Sequence, residues 1–337
     1  MKRISAVIVN WNDKETLARC IRSLQQQTHG DIEIIVSDNA SSDGSQAMVK
    51  EQFHETFLIE NPDNLGFGTA VNRGFERASG DYLIFLNNDL EFAPDSFAIL
   101  VDALESVPGI GAVIPKILYS QKQNAINSLG VNIHCTGIAY PRMLDEPDCD
   151  DLAPEEVACG GIFMMRREVY EELGGFDEDL FLYHEDHDLS WRIRLAGWRL
   201  LTNPRAVFHH RYHFNKGKMK YYHSEKNRLH LLLKYLELKS LVLLAPPLLL
   251  VELAQWAHSL MHGWFFLKLK SYGDLLDLLP RILVKRRRLQ SRRAVADREI
   301  ARLFSSDLQI SGVQSLALDF FLNPLLKAYW LWIRRYL

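Results

Sequence analysis

The first residues with evident chemistry are Asn87-Asn88-Asp89, three polar side chains that follow directly on the apolar run Tyr82-Leu83-Ile84-Phe85-Leu86. That run has the length and composition of a buried strand. In an open parallel sheet, ligands sit beyond the carboxyl ends of the strands, so a carboxylate there points into a cleft. One carboxylate with two amides suits a hard divalent cation, and Mg²⁺ commonly takes one or two carboxylates and completes its shell with substrate phosphates. The plain alternative is a solvated strand end followed by a turn, since Asn and Asp dominate turns. Further along, His184-Glu185-Asp186-His187-Asp188 puts three carboxylates and two imidazoles into one turn. One or two acids at a helix start are accounted for by the helix dipole. Crowding all of these raises pKa values at a cost in stability, which is the arrangement a tuned general base requires. Beyond it lies Val207-Phe208-His209-His210-Arg211, where a histidine ending a strand is either a core-edge residue or the completion of a metal site begun by Asp89.

These clusters need a scaffold, and the chain spells one out. Ile4 to Val9 reads as a strand, with Asn12 as helix N-cap and Glu15 at capping-box spacing. Leu17, Ile21 and Leu24 recur at helical period. Ile32 to Val36 is a second strand ending in Ser37-Asp38-Asn39, and Thr56 to Ile59 a third. Gly66 to Ala78 is a helix that leads into the strand at Tyr82. The order β-α-β-α-β-α-β predicts a parallel sheet with crossover helices. Asp38 then stands at the carboxyl end of the second strand, where doubly wound folds place an acid for a ribose or base; a loop acid capping the next helix is the alternative. Asn64-Leu65-Gly66-Phe67-Gly68 is not G-x-G-x-x-G and does not follow the first strand, which disfavours a dinucleotide site. Pro94 to Val107 is expected to be a helix, Gly111 to Pro115 a strand, and Val157 to Met165 to have β character. The acidic stretch Arg142 to Glu156 is expected to be a mobile loop over the cleft, with a plain solvated insertion as the alternative.

At 337 residues, 47% hydrophobic and 24% charged, the composition is that of a globular protein with room for one large or two modest domains. The net charge of −3 excludes little. Four cysteines show no C-x-x-C spacing and read as reduced thiols. The stretch MKRISAVIVNWND lacks the apolar core of a signal peptide, so the catalytic part is expected in the cytoplasm.

In this order, IVNWN (Ile8–Asn12), SDNASSDGS (Ser37–Ser45), NLGFGTAVNRG (Asn64–Gly74), FLNND (Phe85–Asp89), ACGGIFMMRR (Ala158–Arg167), GGFDE (Gly174–Glu178) and HEDHDLSWR (His184–Arg192) resemble the family 2 glycosyltransferases. The likeness is strongest to the rhamnosyltransferase-like branch that builds bacterial surface polysaccharides. It implies an α/β GT-A nucleotide-diphospho-sugar transferase fold, with a Rossmann-like mixed sheet, over residues 1–215. Asp38 would hold the nucleobase or ribose, helped by the backbone near Val9 and Asn10. Asn64, Gly66 and Asn72 would line the donor, with Asn87 and Asn88 also on the donor side; Arg192 would approach the diphosphate or, as the alternative, pair with the acidic turn. Asp89 and His209 would ligate Mg²⁺ or Mn²⁺ on the donor diphosphate. Asp186 would be the catalytic base and Glu185 its orienting partner. The resemblance further implies a nucleoside-diphosphate sugar as donor, dTDP-rhamnose favoured over UDP-galactofuranose. The acceptor would be a lipid-linked glycan, with transfer inverting the anomeric carbon. Where the family motif often has Asp, this chain has Asn87, one carboxylate fewer. A catalytically inactive homologue acting as a membrane assembly partner is the rival reading.

Residues 216–337 are expected to form a helical, membrane-associating region. The Ser240 to Leu267 window is long enough to span a bilayer, but Pro246-Pro247 is expected to break it and Glu252 is costly near its centre. A single crossing would also place Arg286, Arg287, Arg288, Arg292 and Arg293 on the far side, against the positive-inside tendency. A peripheral or monotopic protein at the cytoplasmic face of the plasma membrane is the resulting expectation. Packing of these leucines within a soluble helical subdomain or a homo-oligomer is the alternative. No nucleic-acid-binding motif accompanies the arginines, so no nucleic-acid partner is expected.

Overall fold

The computed structural model describes residues 2–211, 217–309 and 318–337. Two compact units are present: Met1–Gly130 with Pro141–Ile193 and Trp198–Phe214, and Val131–Tyr140 with Arg194–Gly197 and Asn215–Leu337. The domain boundary expected at 215/216 lies outside the described residues. The second unit also takes in two short segments, 131–140 and 194–197, that the sequence reading left in the first.

The first unit is built on β1 (Ile4–Asn10), β2 (Ile32–Asp38), β3 (Phe57–Glu60), β4 (Tyr82–Asn87), β5 (Leu90–Phe92), β6 (Ile110–Tyr119) and β7 (Ile126–Ser128). After the short pair β8 (Val131–Ile133) and β9 (Ala139–Pro141), β10 (Met164–Arg166) and β11 (Arg199–His210) complete the main sheet. Its order is β3-β2-β1-β4-β10-β6-β11-β5, with β7 on β6. Strands β3, β2, β1 and β4 run parallel, as the βα alternation requires, while β10 is inserted antiparallel between β4 and β6. This is the mixed GT-A sheet.

Both faces of the parallel strands are covered, so their residues split by alternation into two cores. Ile4, Ala6, Ile8 and Leu86 face α1 (Lys14–Gln25), which contributes Leu17 and Ile21. Val7, Leu83 and Phe85 face Val71 and Phe75 of α3 (Phe67–Arg77), which follows α2 (Ser45–Gln52). Helix α3 reaches the sheet closely enough that a Cβ on Gly74 would lie 2.4 Å from Val7 Cγ1. Helices α4 (Ser96–Ser106), α5 (Arg167–Leu173) and α6 (Glu185–Leu195) complete the unit.

Three local expectations are corrected. The N-cap of α1 is Asp13, whose carboxylate accepts from Thr16 N at 3.3 Å; Asn12 stands at φ +53° and accepts from Ser42 N at 2.7 Å instead. In Val157 to Met165 a strand forms only from Met164, after a backbone hydrogen bond from Val157 N to Leu200 O and an isolated bridge at Cys159. The stretch Arg142 to Glu156 is pinned at its start, middle and end. Arg142 N donates to Gly130 O, Lys116 Nζ to Asp148 Oδ1 at 2.6 Å, and Glu155 N to Thr202 Oγ1 at 2.9 Å.

The second unit is helical: α7 (Met219–Tyr235), α8 (Leu238–Met261), α9 (Phe265–Gln290), and shorter helices at Asp297–Ala301 and Asn323–Ile333. Pro246 and Pro247 sit inside α8 without breaking it. Pro247 has no N–H for Leu243 O, and the Tyr329 hydroxyl donates to that carbonyl at 3.0 Å in its place.

Candidate active site

The parallel strands bring the predicted donor-side residues to one edge. In register, Asn10 lies beside Asp38, and Val9 lies between Ser37 and Asn87. Asn10 Nδ2 donates to Asp38 Oδ2 at 2.8 Å, and Asn88 Nδ2 donates to Asn10 Oδ1 at 2.7 Å, so a polar chain crosses three strand ends. Asp38 is fully buried, and its other oxygen accepts from Ser41 N at 2.8 Å and Gln46 Nε2 at 2.7 Å. Its carboxylate is therefore the knot that shapes the Asn39–Ser45 loop.

Asn39 and Asn61 were not singled out from sequence, yet they carry this chain onward. Asn61 Nδ2 donates to Asn39 Oδ1, and Asn39 Nδ2 donates to Gly66 O, each at 3.0 Å. Asn64 Oδ1 accepts from Gly66 N at 3.0 Å. Gly66 itself has φ +80°, and a Cβ there would lie 2.2 Å from Phe181 O. Phe67 N donates to the same carbonyl at 3.0 Å, which joins the donor-side loop to the segment before α6.

Two donor-side residues are engaged within the protein. The Asn72 amide is saturated by protein: Oδ1 accepts from Phe176 N and Tyr170 OH, and Nδ2 donates to Phe176 O at 3.0 Å and Glu178 Oε1 at 3.5 Å. It braces α3 against the Gly174–Asp177 turn. Arg192 is held by Asp188, at 2.9 Å through Nε and 2.7 Å through Nη2, and donates from Nη1 to Leu173 O. An i, i+4 pair on α6 has used its fork.

The histidine beside Asp89 is His210, not His209. His210 Nε2 lies 3.2 Å from Asp89 Oδ2, and its Nδ1 lies 3.0 Å from Asn127 Oδ1. His209 is one residue earlier on β11, so its side chain leaves the opposite face of the strand. With the Nδ1 proton on Asn127, Nε2 and the Asp89 carboxylate are two acceptors face to face, which a proton or a cation completes. Asp89 Oδ1 is buried with no hydrogen-bond partner among the described residues. That orphaned oxygen, the facing imidazole and the Asn127 brace fit a divalent ion. No group of three or more His, Cys, Asp or Glu gathers at ligand spacing among the described residues.

At the start of α6 the chemistry differs. Tyr183 and His184 precede the helix with φ of +66° and +68°, a conformation costly for side chains with a Cβ. Glu185 is 8% exposed, and its Oε2 is buried without a hydrogen-bond partner among the described residues. Burial, and then the charge of Asp186, push the Glu185 carboxyl well above the usual carboxylate range; burial does the same to Asp186. Asp186 still keeps 21% of its side-chain surface exposed, an opening for an incoming group. His187 Nε2 lies 3.6 Å from Asp186 Oδ2, and the His184 and His187 Nδ1 atoms share a hydrogen bond of 2.8 Å. Burial lowers the His187 imidazole to about 4, which leaves it neutral near pH 7.

Residues 5–174 match the model for glycosyl transferase family 2, and residues 144–223 match that for the N-terminal domain of galactosyltransferase. Among curated proteins, the N-acetylglucosaminyl-diphospho-decaprenol L-rhamnosyltransferase of Mycobacterium tuberculosis is 29% identical over 235 residues, 62% of this chain and 76% of that protein. The O-antigen biosynthesis protein RfbC of Myxococcus xanthus is 28% identical over 61% of this chain, which spans 17% of it. Among solved structures, GalNAc-T7 with UDP, GalNAc and Mn²⁺ superposes with a TM-score of 0.56 at 20% identity, over 69% of this chain and 48% of its own. The mannosyltransferase PcManGT of Pyrobaculum calidifontis with GDP-Man and Mn²⁺ gives 0.51 at 18% identity, over 86% of both chains. Both structural likenesses bear on the fold.

Proposed function

This chain belongs to glycosyl transferase family 2, and on that premise we propose that it transfers one sugar from a nucleoside-diphosphate sugar to a lipid-linked glycan, with inversion at the anomeric carbon. The observation that carries the reading is the buried Glu185–Asp186 pair at the start of α6, joined through Phe181 to the donor-side loop at Gly66 and Phe67. Two buried carboxyls side by side do not ionise together. Glu185, the more enclosed, holds the proton, and Asp186 remains the ionised base facing the opening. Asp186 takes the hydroxyl proton of the acceptor as its oxygen bonds to the anomeric carbon and the bond to the diphosphate breaks. A base in that position contributes about 10²–10⁴-fold.

On the donor side, the chain from Asn88 through Asn10 to Asp38 fixes the strand ends against which a nucleotide lies. Asp89 and His210 would hold Mg²⁺ or Mn²⁺, whose charge, when bound, offsets that of the departing diphosphate. The name of the mycobacterial relative supports rhamnose as the transferred sugar and an N-acetylglucosaminyl-diphospho-polyprenol as acceptor; dTDP as its carrier and the cytoplasmic leaflet as the meeting place are our own extension.

Calorimetry with dTDP-rhamnose, UDP-galactofuranose, UDP-N-acetylglucosamine and GDP-mannose, each with and without Mn²⁺, tests the donor. Metal-dependent binding of dTDP-rhamnose, lost in Asp89→Ala, is expected. Binding of another donor alone would overturn the sugar assignment, and binding of none would overturn the enzymatic one.

A further inference from the structure

The helical unit has charge inside and hydrocarbon outside. Glu225 and Arg228 of α7, Glu252 of α8 and Lys268 of α9 form one network. Lys268 Nζ donates to Glu225 Oε2 at 2.8 Å and to Glu252 Oε2 at 3.1 Å, and Arg228 pairs with both carboxylates. Tyr272 also donates to Glu252, and the Lys268 side chain is 0% exposed.

The outward faces are the reverse. On α8, Leu238, Val242, Leu249, Leu253, Leu260 and Met261 are each at least 60% exposed. Steps of four and seven residues between the leucines and Val242 put them on one stripe of the helix. No charged residue is exposed between Val242 and Met261. On α9, Phe266, Leu269, Leu276 and Leu283 are exposed too, flanked by exposed Lys270, Asp277 and Arg281, and exposed Arg287 and Arg288 follow in its last turn. A stripe of this size on a surface calls for an apolar partner.

By length and apolarity α8 alone, among the described residues, qualifies as a membrane span. The network argues against that use. Glu252 lies near the middle of the helix, and its partners Arg228 and Lys268 would be drawn into the hydrocarbon with it. The apolar run before it, Leu241–Val251, falls well short of the ~20 residues a crossing needs. A second copy of the chain is the poorer occupant, because it would bring two arginine-rich ends together, whereas anionic headgroups complement them.

We propose that α8 and α9 lie flat in the surface of an anionic bilayer, each buried along its apolar stripe, and that α8 does not cross it. This deepens the acceptor half of the reading above, naming the surface on which a lipid-linked acceptor would be met, and it is independent of the donor chemistry.

The test is flotation of the full chain with phosphatidylcholine vesicles, with and without phosphatidylglycerol. Arg287→Gln with Arg288→Gln is expected to weaken partitioning onto the anionic vesicles by roughly thirtyfold and to leave neutral vesicles little changed. Leu249→Asp with Leu253→Asp is expected to abolish flotation on both, while each variant keeps its thermal transition and its donor binding. Wild-type protein that does not float, or flotation unaffected by the leucine variant, overturns the proposal. So does a dimer in buffer that the leucine variant dissociates. Topology is read with a membrane-impermeant thiol reagent on sealed vesicles, comparing the exposed native Cys149 with Ser291→Cys. Labelling from the same side is expected, and labelling from opposite sides means that α8 crosses. Donor calorimetry on the same samples separates a failed anchor from a failed enzyme assignment.

Discussion

The two polar regions of the catalytic unit are built on opposite principles. At the strand ends, Asp38 accepts three hydrogen bonds, Asn39 and Asn10 each bridge two neighbours, and the network holds its shape without a ligand. At the start of α6, carboxyls are crowded, Glu185 Oε2 is buried without a partner among the described residues, and two consecutive residues before the helix take positive φ. The first region is satisfied and would act by shape. The second is under-bonded, so its carboxyls hold their protons more tightly than they would in water, at a cost in stability. Asp89 belongs to neither: one oxygen faces His210 and the other is buried with no partner among the described residues.

The sharpest way to break this contrast is Asp186→Asn. It is expected to lower kcat by about 10²–10⁴-fold while leaving donor affinity intact, as read by steady-state transfer beside calorimetry. Near-normal turnover would remove the base from α6. His210→Ala is expected to cost roughly 10–100-fold in metal-dependent donor binding, and His209→Ala to cost little. Equal losses would mean that the strand face does not distinguish them. Asn72→Ala should act on the scaffold alone, losing about 1–3 kcal/mol in urea denaturation with donor affinity unchanged, because it leaves buried partners unpaired. A donor-binding defect without lost stability would return Asn72 to the ligand.

The smallest effect is on pH dependence. The Glu185 and Asp186 carboxyls are raised in the folded chain, so the folded state binds protons more tightly than the unfolded one. Their contribution is complete below the ordinary carboxylate range and is lost as pH climbs through neutrality. His187, lowered from 6.5 to about 4, works the other way, and its contribution is lost as pH falls through that interval. Glu185→Gln should therefore flatten the decline of Tm on the alkaline side only, and an unchanged slope would show that the crowding carries no energetic cost.

Much of this was legible in the sequence for a physical reason. Strands buried on both faces announce themselves as apolar runs, which is why β1, β2 and β4 fell close to their expected limits. Asn10, Asp38, Asn88 and Asp89 followed, because they end those runs. What stayed hidden depends on partners distant in sequence. Asn72 has a side chain suited to a ligand, and only the fold shows that Phe176 and Tyr170 have taken it; for Arg192 the sequence offers both a diphosphate and the acidic turn, and the fold puts it on Asp188. The choice between His209 and His210 turned on the phase of a strand, and nothing local to that pair sets it. The antiparallel insertions β5 and β10 are three residues each, too short for a period to register. Pro246-Pro247 was read as a break because Tyr329, whose hydroxyl replaces the missing donor, lies far along the chain.

The contact at Gly66 and Phe181 has a consequence for anyone recombining this chain with its relatives. Because Phe67 N donates to the Phe181 carbonyl and Gly66 has no room beside it for a Cβ, the segment that ends in Asp186 is moulded on the one that begins at Asn64. Neither can be exchanged by itself. A chimera that imports a new donor loop must import the matching turn before α6, so the two stretches, far apart in the gene, form one inheritable cassette.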